Sequence, residues 1–573
     1  MASKEKIKQI LADKEKLSIQ QISKKYNLPK KEVRLIIASS DKNRQWWFYI
    51  IMFLIPVVFI ILLEVLLRAA SYGYNTSQWV DAANDKYVIN PELGRKYFNS
   101  INFLPITNED LFDQQKNENA FRIFVLGESS ALGYPYMPLG SFPQYLRRRL
   151  ELVYPAAQIE VVNVSMTGVS SYTLLDLTAG ILDQKPDLIL IYAGHNEYYG
   201  ALGVGSKESF GTSRTLINLI LYLENYKITQ LIRNWTNAIA GLFSSKNKNE
   251  SSGTLMSVMA KDQYITIDSE KYNAGLSQFN ENIADILDMA KQKNVPVIMG
   301  TLVSNLKDQE PFISVNTPGY KTADQIYTEA EDALSNNHLQ KADSLFKLAK
   351  DLDALRFRAP EKINQIIKVL GRKYNNEVVS IDSLFAAESP EKITGDNLIT
   401  DHLHPNLEGY LLIGKAYYEV MERKGILPEN GDPKIPFEKQ DSLTRANFMF
   451  TELDSVIGGY LVAVLKNDWP FNKQANNSDR GRIFNPESFK DSIAVEYIEK
   501  KISWSDACLK AATEYLKKDD IKNYLKYMNV LIYRYPFLKD INTAVRYFYD
   551  QGKINPSDYT QKRLELITSF STK

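Results

Sequence analysis

Hydrophobic and polar positions follow three different rhythms along this chain. From Trp46 to Leu63, WWFYIIMFLIPVVFIILL, eighteen residues pass without a charge, and Val65–Leu67 carry the run beyond Glu64 to Arg68. A helix rising 1.5 Å per residue over that length crosses the ~30 Å of a bilayer's hydrocarbon. The pattern predicts a transmembrane helix over 46–68, with Trp46 and Trp47 at one interface and Glu64 and Arg68 at the other. The second rhythm runs from Phe121 to Asp382, where short β-branched runs alternate with helical periodicity. The runs are FRIFVL (121–126), IEVVN (159–163), DLILIYA (187–193), VPVIMGTL (295–302) and VVSID (378–382). Their continuous apolar character predicts parallel strands covered on both faces. Helices are predicted at 141–153, 172–184 and 270–292, which makes a doubly wound α/β sheet. The third rhythm is helical with small residues in register. Ala330, Ala333, Ala342 and Ala349 mark a tetratricopeptide-type pair over 323–350. Trp504, Ala507, Ala511, Tyr515, Tyr524, Tyr527 and Leu531 mark a degenerate repeat near the end.

A chain of 573 residues exceeds one hydrophobic core. Its parts read as a basic tail (1–45), the membrane helix (46–68), a lead-in (69–119), a sheet domain (120–425) and a helical C-terminal region (426–573). The sheet domain carries helical insertions at 203–262 and 319–360. Within the first insertion, 214–243 is strongly apolar at helical spacing. Packing against the domain explains it, and so does a lid or a helix on the membrane surface. The polar tract SSKNKNESSG (244–253) reads as a flexible loop.

Charge refines this picture at one end only. The first 45 residues carry twelve Lys/Arg against five Asp/Glu, which predicts a cytoplasmic N-terminus and an extracytoplasmic bulk. No small-residue cleavage site follows the apolar run, so a retained signal-anchor is expected. Within the tail, Leu17 to Ile37 reads as two short amphipathic helices broken at Asn27-Leu28-Pro29. That suits a helix-turn-helix or a basic hairpin on anionic lipid. The net charge of +1 gives no reason to expect nucleic acid. Cys508 is the single cysteine, which excludes an intrachain disulfide and a multi-cysteine metal site.

Two of the four histidines lie in DHLHPN, Asp401 to Asn406. Such a cluster suits a metal site, the base of a nucleophilic triad, or a solvated turn. The strand ends decide between them. The first predicted strand ends in Gly127-Glu128-Ser129-Ser130-Ala131-Leu132-Gly133, a serine on a tight turn between glycines. The second runs into VSMTGVSS with Gly168. The third ends in Gly194-His195-Asn196-Glu197. In parallel sheets, chemistry collects at these carboxyl ends.

Taken together, these blocks resemble the SGNH (GDSL-type) hydrolase superfamily over roughly 120–425. Ser129 with Gly133 matches the first block, Gly168 the second, Asn196 the third, and Asp401 with His404 the last. Glu128 and Glu197 stand where the superfamily has aspartate. The resemblance implies a three-layer α/β/α, flavodoxin-like sheet. It also implies a Ser129–His404–Asp401 triad and an oxyanion hole from the Ser129 amide, the Gly168 amide and the Asn196 side chain. His195, Asn305, Arg356, Arg358 and His402 are the candidate substrate contacts, the arginines because guanidinium suits carboxylate and phosphate. Salt bridges to Asp351 and Asp353 are the alternative for the arginines. No cofactor and no metal is implied. The expected activity is ester hydrolysis through an acyl-Ser129 intermediate on acylated cell-envelope glycans or lipids. Acyl transfer by the same triad is an alternative, as is a non-catalytic scaffold that holds protein partners on its repeat-like helices.

Overall fold

The computed structural model describes residues 3–82, 84–98, 105–206, 213–243, 255–260, 264–429, 433–472 and 483–535. The expected loop at 244–253 and the end of the C-terminal region lie outside them. The chain divides into two units: Met1–Tyr74 with Leu223–Lys246, and Asn75–Tyr222 with Asn247–Lys573.

In the first unit, helices Lys4–Asp13 and Ile19–Tyr26 close on the start of a 40-residue helix, Lys30–Ala69, around Ile10, Ile22 and Val33. Ser18 caps the second helix, and Asn27, at φ +45°, ends it in the left-handed conformation that asparagine tolerates. The expected break at 27–29 is present. The helix after it does not stop near Ile37 but continues without interruption to Ala69. Its segment Trp46–Ala69 is the one helix among the described residues long and apolar enough to cross a membrane. Its apolar side chains face outward, with Phe53 73% and Phe59 64% exposed, as lipid-facing residues are.

The second unit is built on five parallel strands in the order β5-β4-β6-β7-β8. They follow a small antiparallel sheet, β1 (Trp79–Ala82), β2 (Lys86–Ile89) and β3 (Phe112–Asp113). The five are β4 (Ala120–Gly127), β5 (Gln158–Asn163), β6 (Leu188–Tyr192), β7 (Val297–Gly300) and β8 (Glu377–Val379). Each matches an expected run, although VVSID divides: its strand ends at Val379, and Ile381 opens helix Ile381–Glu388. Helices Ser171–Leu182, Glu270–Gln292 and Glu361–Tyr374 form one covering layer, and Phe142–Val153 with Leu407–Arg423 the other. Ile123, Phe124, Ile189, Leu190 and Ile298 are fully buried between them. Each such side chain contributes ~1.5–3 kcal/mol of burial free energy.

Within the second unit, the part of the lead-in from Asn75 onward packs on the five-stranded sheet. Its small sheet sends Trp79 and Phe112 onto Phe124 of β4, at ring separations of 5.6 and 5.4 Å. Asp110, fully buried, accepts from the Asn163 amide at 3.0 Å and from Gln144 at 3.1 Å. It also pairs with Arg534, from the last helix described, Ile521–Arg534. The insertion pair Ala323–Ser335 and Leu339–Leu352 forms as expected around Ala330, Ala342 and Phe346. The C-terminal helices have their own core, in which all seven residues of the predicted repeat are buried.

Removing one partner of a buried ion pair strands the other charge. Arg534→Met is therefore expected to lower unfolding free energy by ~3–5 kcal/mol. Urea denaturation of the detergent-solubilised chain measures this, and a loss below ~1 kcal/mol would show that the pair does not dock the C-terminal helices.

Candidate active site

The order β5-β4-β6 reverses direction at β4, so the crevice beyond its carboxyl end is the topological switch point of the sheet. Ser129 stands there. A Cβ on Gly127 would lie 2.3 Å from the Ala131 side chain and 2.4 Å from the Tyr192 carbonyl, so only glycine lets the strand turn this sharply. Ser129–Leu132 makes one helical turn, and Gly133 closes it at φ +106°, where a side chain would strike Ser141.

Ser129 Oγ lies 2.8 Å from His404 Nε2, and His404 Nδ1 lies 2.6 Å from Asp401 Oδ2. Burial alone would raise the Asp401 carboxyl, but the His404 and His402 imidazoles outweigh it and hold the acid well below its usual range. An ionised Asp401 only accepts, so the proton between it and His404 resides on Nδ1. Nε2 is then left to accept the Ser129 hydroxyl proton. The same carboxylate shapes the turn, since its Oδ1 accepts from the Leu403 and His404 amides at 2.9 Å each. Asp401 and His404 thus come together on a carboxylate-capped turn, before the helix that begins at Leu407.

Glu128 and Glu197 fix the other loops. The Glu128 carboxylate accepts from the amides of Gly194, His195 and Asn196 at 3.0, 3.0 and 3.1 Å. Glu197 accepts from the Ser171 amide at 3.1 Å, from the Ser171 hydroxyl at 2.8 Å, and from Gln278. Ala201 N donates to the Gly168 carbonyl at 2.8 Å and Ser170 Oγ to the Ala201 carbonyl at 2.7 Å. The loops after β4, β5 and β6 are therefore one hydrogen-bonded assembly. On this floor Ser129, Gly168 and Asn196 are partly exposed, while Glu128, Ser130, Val169, His195 and Glu197 are buried. Among the described residues, neither the Ser129 and Gly168 amides nor the Asn196 side-chain amide donates to another group of the chain.

The candidate substrate contacts divide. Asn305 is buried and fully engaged: its side chain donates to Asp396 and to the Asp401 carbonyl, and its amide donates to the His402 carbonyl. It braces the histidine turn. Arg358 is likewise committed, to the carbonyls of Asn305 and Gln309 and to Asp353 at 3.3 Å. Arg356 donates to the Asp351 carbonyl, not to its carboxylate, and stacks on Tyr272. His195 is fixed by the Ala359 amide on Nδ1, and burial pushes its pKa well down. His402 sits among Phe312, Phe357 and Phe471 at ring separations of 5.6, 6.0 and 5.4 Å. Burial lowers its pKa too, and its Nδ1, 3.3 Å from Asp401 Oδ1, is not aligned for a hydrogen bond. Asp401, His402 and His404 group their donor atoms within 4.8 Å, as a cation site would. Both His404 nitrogens, however, are already engaged by Asp401 and Ser129.

Sequence reasoning missed two walls of the site. The Tyr134 ring lies 4.6 Å from that of His404, its hydroxyl held by the Leu461 carbonyl at 3.1 Å. Phe471 reaches His402 from the same C-terminal region. The aromatic cluster Trp469-Pro470-Phe471 was the available signal.

Burial pushes the Glu128 carboxyl up to about 8 and the Glu197 carboxyl up to about 7, from an ordinary value of 4.5. A carboxyl raised on folding stabilises fully below its unfolded pKa, and that stability is lost as pH climbs to the folded one. The two acids should thus make stability to urea fall from pH 5 to pH 8, against the opposite contribution of the buried His195 and His402. Glu197→Gln should reduce that fall by on the order of 2–3 kcal/mol, whereas equal falls in both proteins would contradict the assignment.

No protein-family model matches the chain, and no curated protein does. Among solved structures it is similar to a GDSL-like lipase from Bacteroides thetaiotaomicron, at 12% identity and a TM-score of 0.28, covering 55% of this chain and 93% of that one. It is similar at the same TM-score to an acetylxylan esterase from Geobacillus stearothermophilus, at 12% identity over 52% of this chain and 93% of the other. A lipase/acylhydrolase from Enterococcus faecalis is a third, at 14% identity and TM-score 0.28, over 54% and 100%.

Proposed function

We propose that this chain is a membrane-anchored serine esterase whose catalytic unit faces away from the cytoplasm and removes acyl groups from envelope glycans or lipids. The observation that carries the proposal is the continuous relay from Ser129 through His404 to Asp401, at 2.8 and 2.6 Å, opening beside three uncommitted amide donors. Ser129 Oγ attacks the acyl carbon as His404 Nε2 takes its proton, and Asp401 stabilises the imidazolium that forms. The carbonyl oxygen gains negative charge against the Ser129, Gly168 and Asn196 amides. His404 then returns the proton to the departing alcohol, leaving acyl-Ser129. Water, deprotonated by His404, then attacks the acyl carbon, and the acyl–Oγ bond breaks as His404 returns the proton to Ser129 and the acid leaves.

A fluorophosphonate probe is expected to label the wild type at Ser129 and to label neither Ser129→Ala nor His404→Ala. Turnover of a p-nitrophenyl ester should fall by up to ~10⁶-fold in either variant. Asn196→Ala should retain labelling and lose ~10²–10³-fold in kcat. Wild-type labelling at another residue would overturn the reading. Products formed with and without an acceptor glycan distinguish hydrolysis from transfer.

The twelve basic residues of the tail and the 46–69 helix support the orientation. A phosphatase reporter fused after residue 75 should be active only if exported. Activity confined to the cytoplasm would reverse the topology.

A further inference from the structure

The helix Lys227–Phe243 begins on the outer end of the membrane-crossing helix. The Glu64 carboxylate accepts from the amides of Lys227 and Ile228 at 3.1 and 3.0 Å, so the unpaired donors of one helix start find their acceptor on the spanning segment itself. Arg68 pairs with Glu64 at 2.7 Å and donates to the Asn225 carbonyl at 3.2 Å. The next turns are held by residues just past the span. Gln230 accepts from the Tyr74 amide at 3.1 Å, Arg233 donates to the Tyr74 hydroxyl at 3.0 Å, and Asn234 donates to the Tyr72 hydroxyl at 3.0 Å. Asn234 therefore lies beside a residue beyond Ala69, and the helix does not run back along the span.

Past that clamp, large apolar side chains stand in the open. Ile232 is 58%, Trp235 66% and Ile239 53% exposed, and their spacing of three and four places them on one helical face. Asn234 and Asn237 lie on the opposite side. We propose that the Ile232–Trp235–Ile239 face rests in the interfacial layer of the bilayer that Trp46–Ala69 crosses. It would be a second, in-plane membrane contact. The occupant is argued from continuity: Glu64 pins the helix start at the level where the spanning segment leaves the hydrocarbon, so a helix that runs in the plane from that point meets the headgroup layer. A tryptophan beside isoleucines, with amides opposite, suits that layer, where an amphipathic ring keeps its body in acyl chains and its N–H in water. The proposal rests on the membrane-anchored reading and extends it.

The test uses the full chain in phosphatidylcholine nanodiscs, with the buried Cys508 replaced by serine. Single cysteines at W235C, I239C, N237C and, within the span, I55C carry an environment-sensitive fluorophore. The probes at 235, 239 and 55 are expected to emit blue-shifted and to be quenched by spin-labelled lipids, while the probe at 237 answers to aqueous iodide. Glu64→Ala should weaken quenching at 235 and leave it unchanged at 55. Quenching at 55 with none at 235 or 239 overturns this inference alone. Absence of quenching at 55 overturns the anchor as well. Cross-linking of W235C between chains, without lipid quenching, assigns the face to a second copy and also overturns the proposal.

Discussion

The buried Glu128 carboxylate is the constraint on which the cleft depends. It follows directly on a central strand, next to Ser129, and it takes three consecutive amides from the loop after β6. Asn196 therefore cannot shift without breaking bonds to the residue that precedes Ser129. Desolvation alone would make an isolated carboxylate prohibitive at this depth. Three directed donors offset part of that cost, while burial and the neighbouring Glu197 keep the pKa raised. Glu197 repeats the device, accepting from Ser171 and Gln278, so two buried acids tie the floor together.

The opposite rim is held by different means. His404 lies between a turn capped by Asp401 and a helix capped by Asn406, whose side chain accepts from Gly409 at 2.9 Å. Asn305 ties this turn to the strand β7 loop, and Arg358 ties that loop to the insertion pair. The tetratricopeptide-like insertion thus supports the position of the imidazole. The lead-in supports the serine side, where Asp110 holds the Asn163 amide and Asn163 donates to the Ala131 carbonyl in the turn that carries Ser129. Parts that read as decoration in the sequence brace the site.

What the sequence conveyed was set by how local the cause is. Continuous apolar runs are local, and the five strands lie where FRIFVL, IEVVN, LILIY, VIMG and VV stand. Glycine flanks and the Asp-x-x-His spacing are local as well, so Ser129, Asp401 and His404 could be named together. The strands β1 to β3 have four, four and two residues, too few for alternation to register. Nor did the sequence reveal the roles of Asn305 and Arg358. Both serve backbone carbonyls 49 to 96 residues away, and no pattern along the chain marks a carbonyl as an acceptor. The longer reach of Glu128 was visible as a departure, but what it reaches is a property of the folded loops.

The central claim is that Ser129 carries the acyl group. Acid-quenching the protein within the first turnover of a p-nitrophenyl ester and sequencing its peptides by mass spectrometry tests this directly. An acyl adduct on the peptide containing Ser129, absent from Ser129→Ala, is the predicted result. An adduct elsewhere, or undiminished turnover by Ser129→Ala, would contradict it.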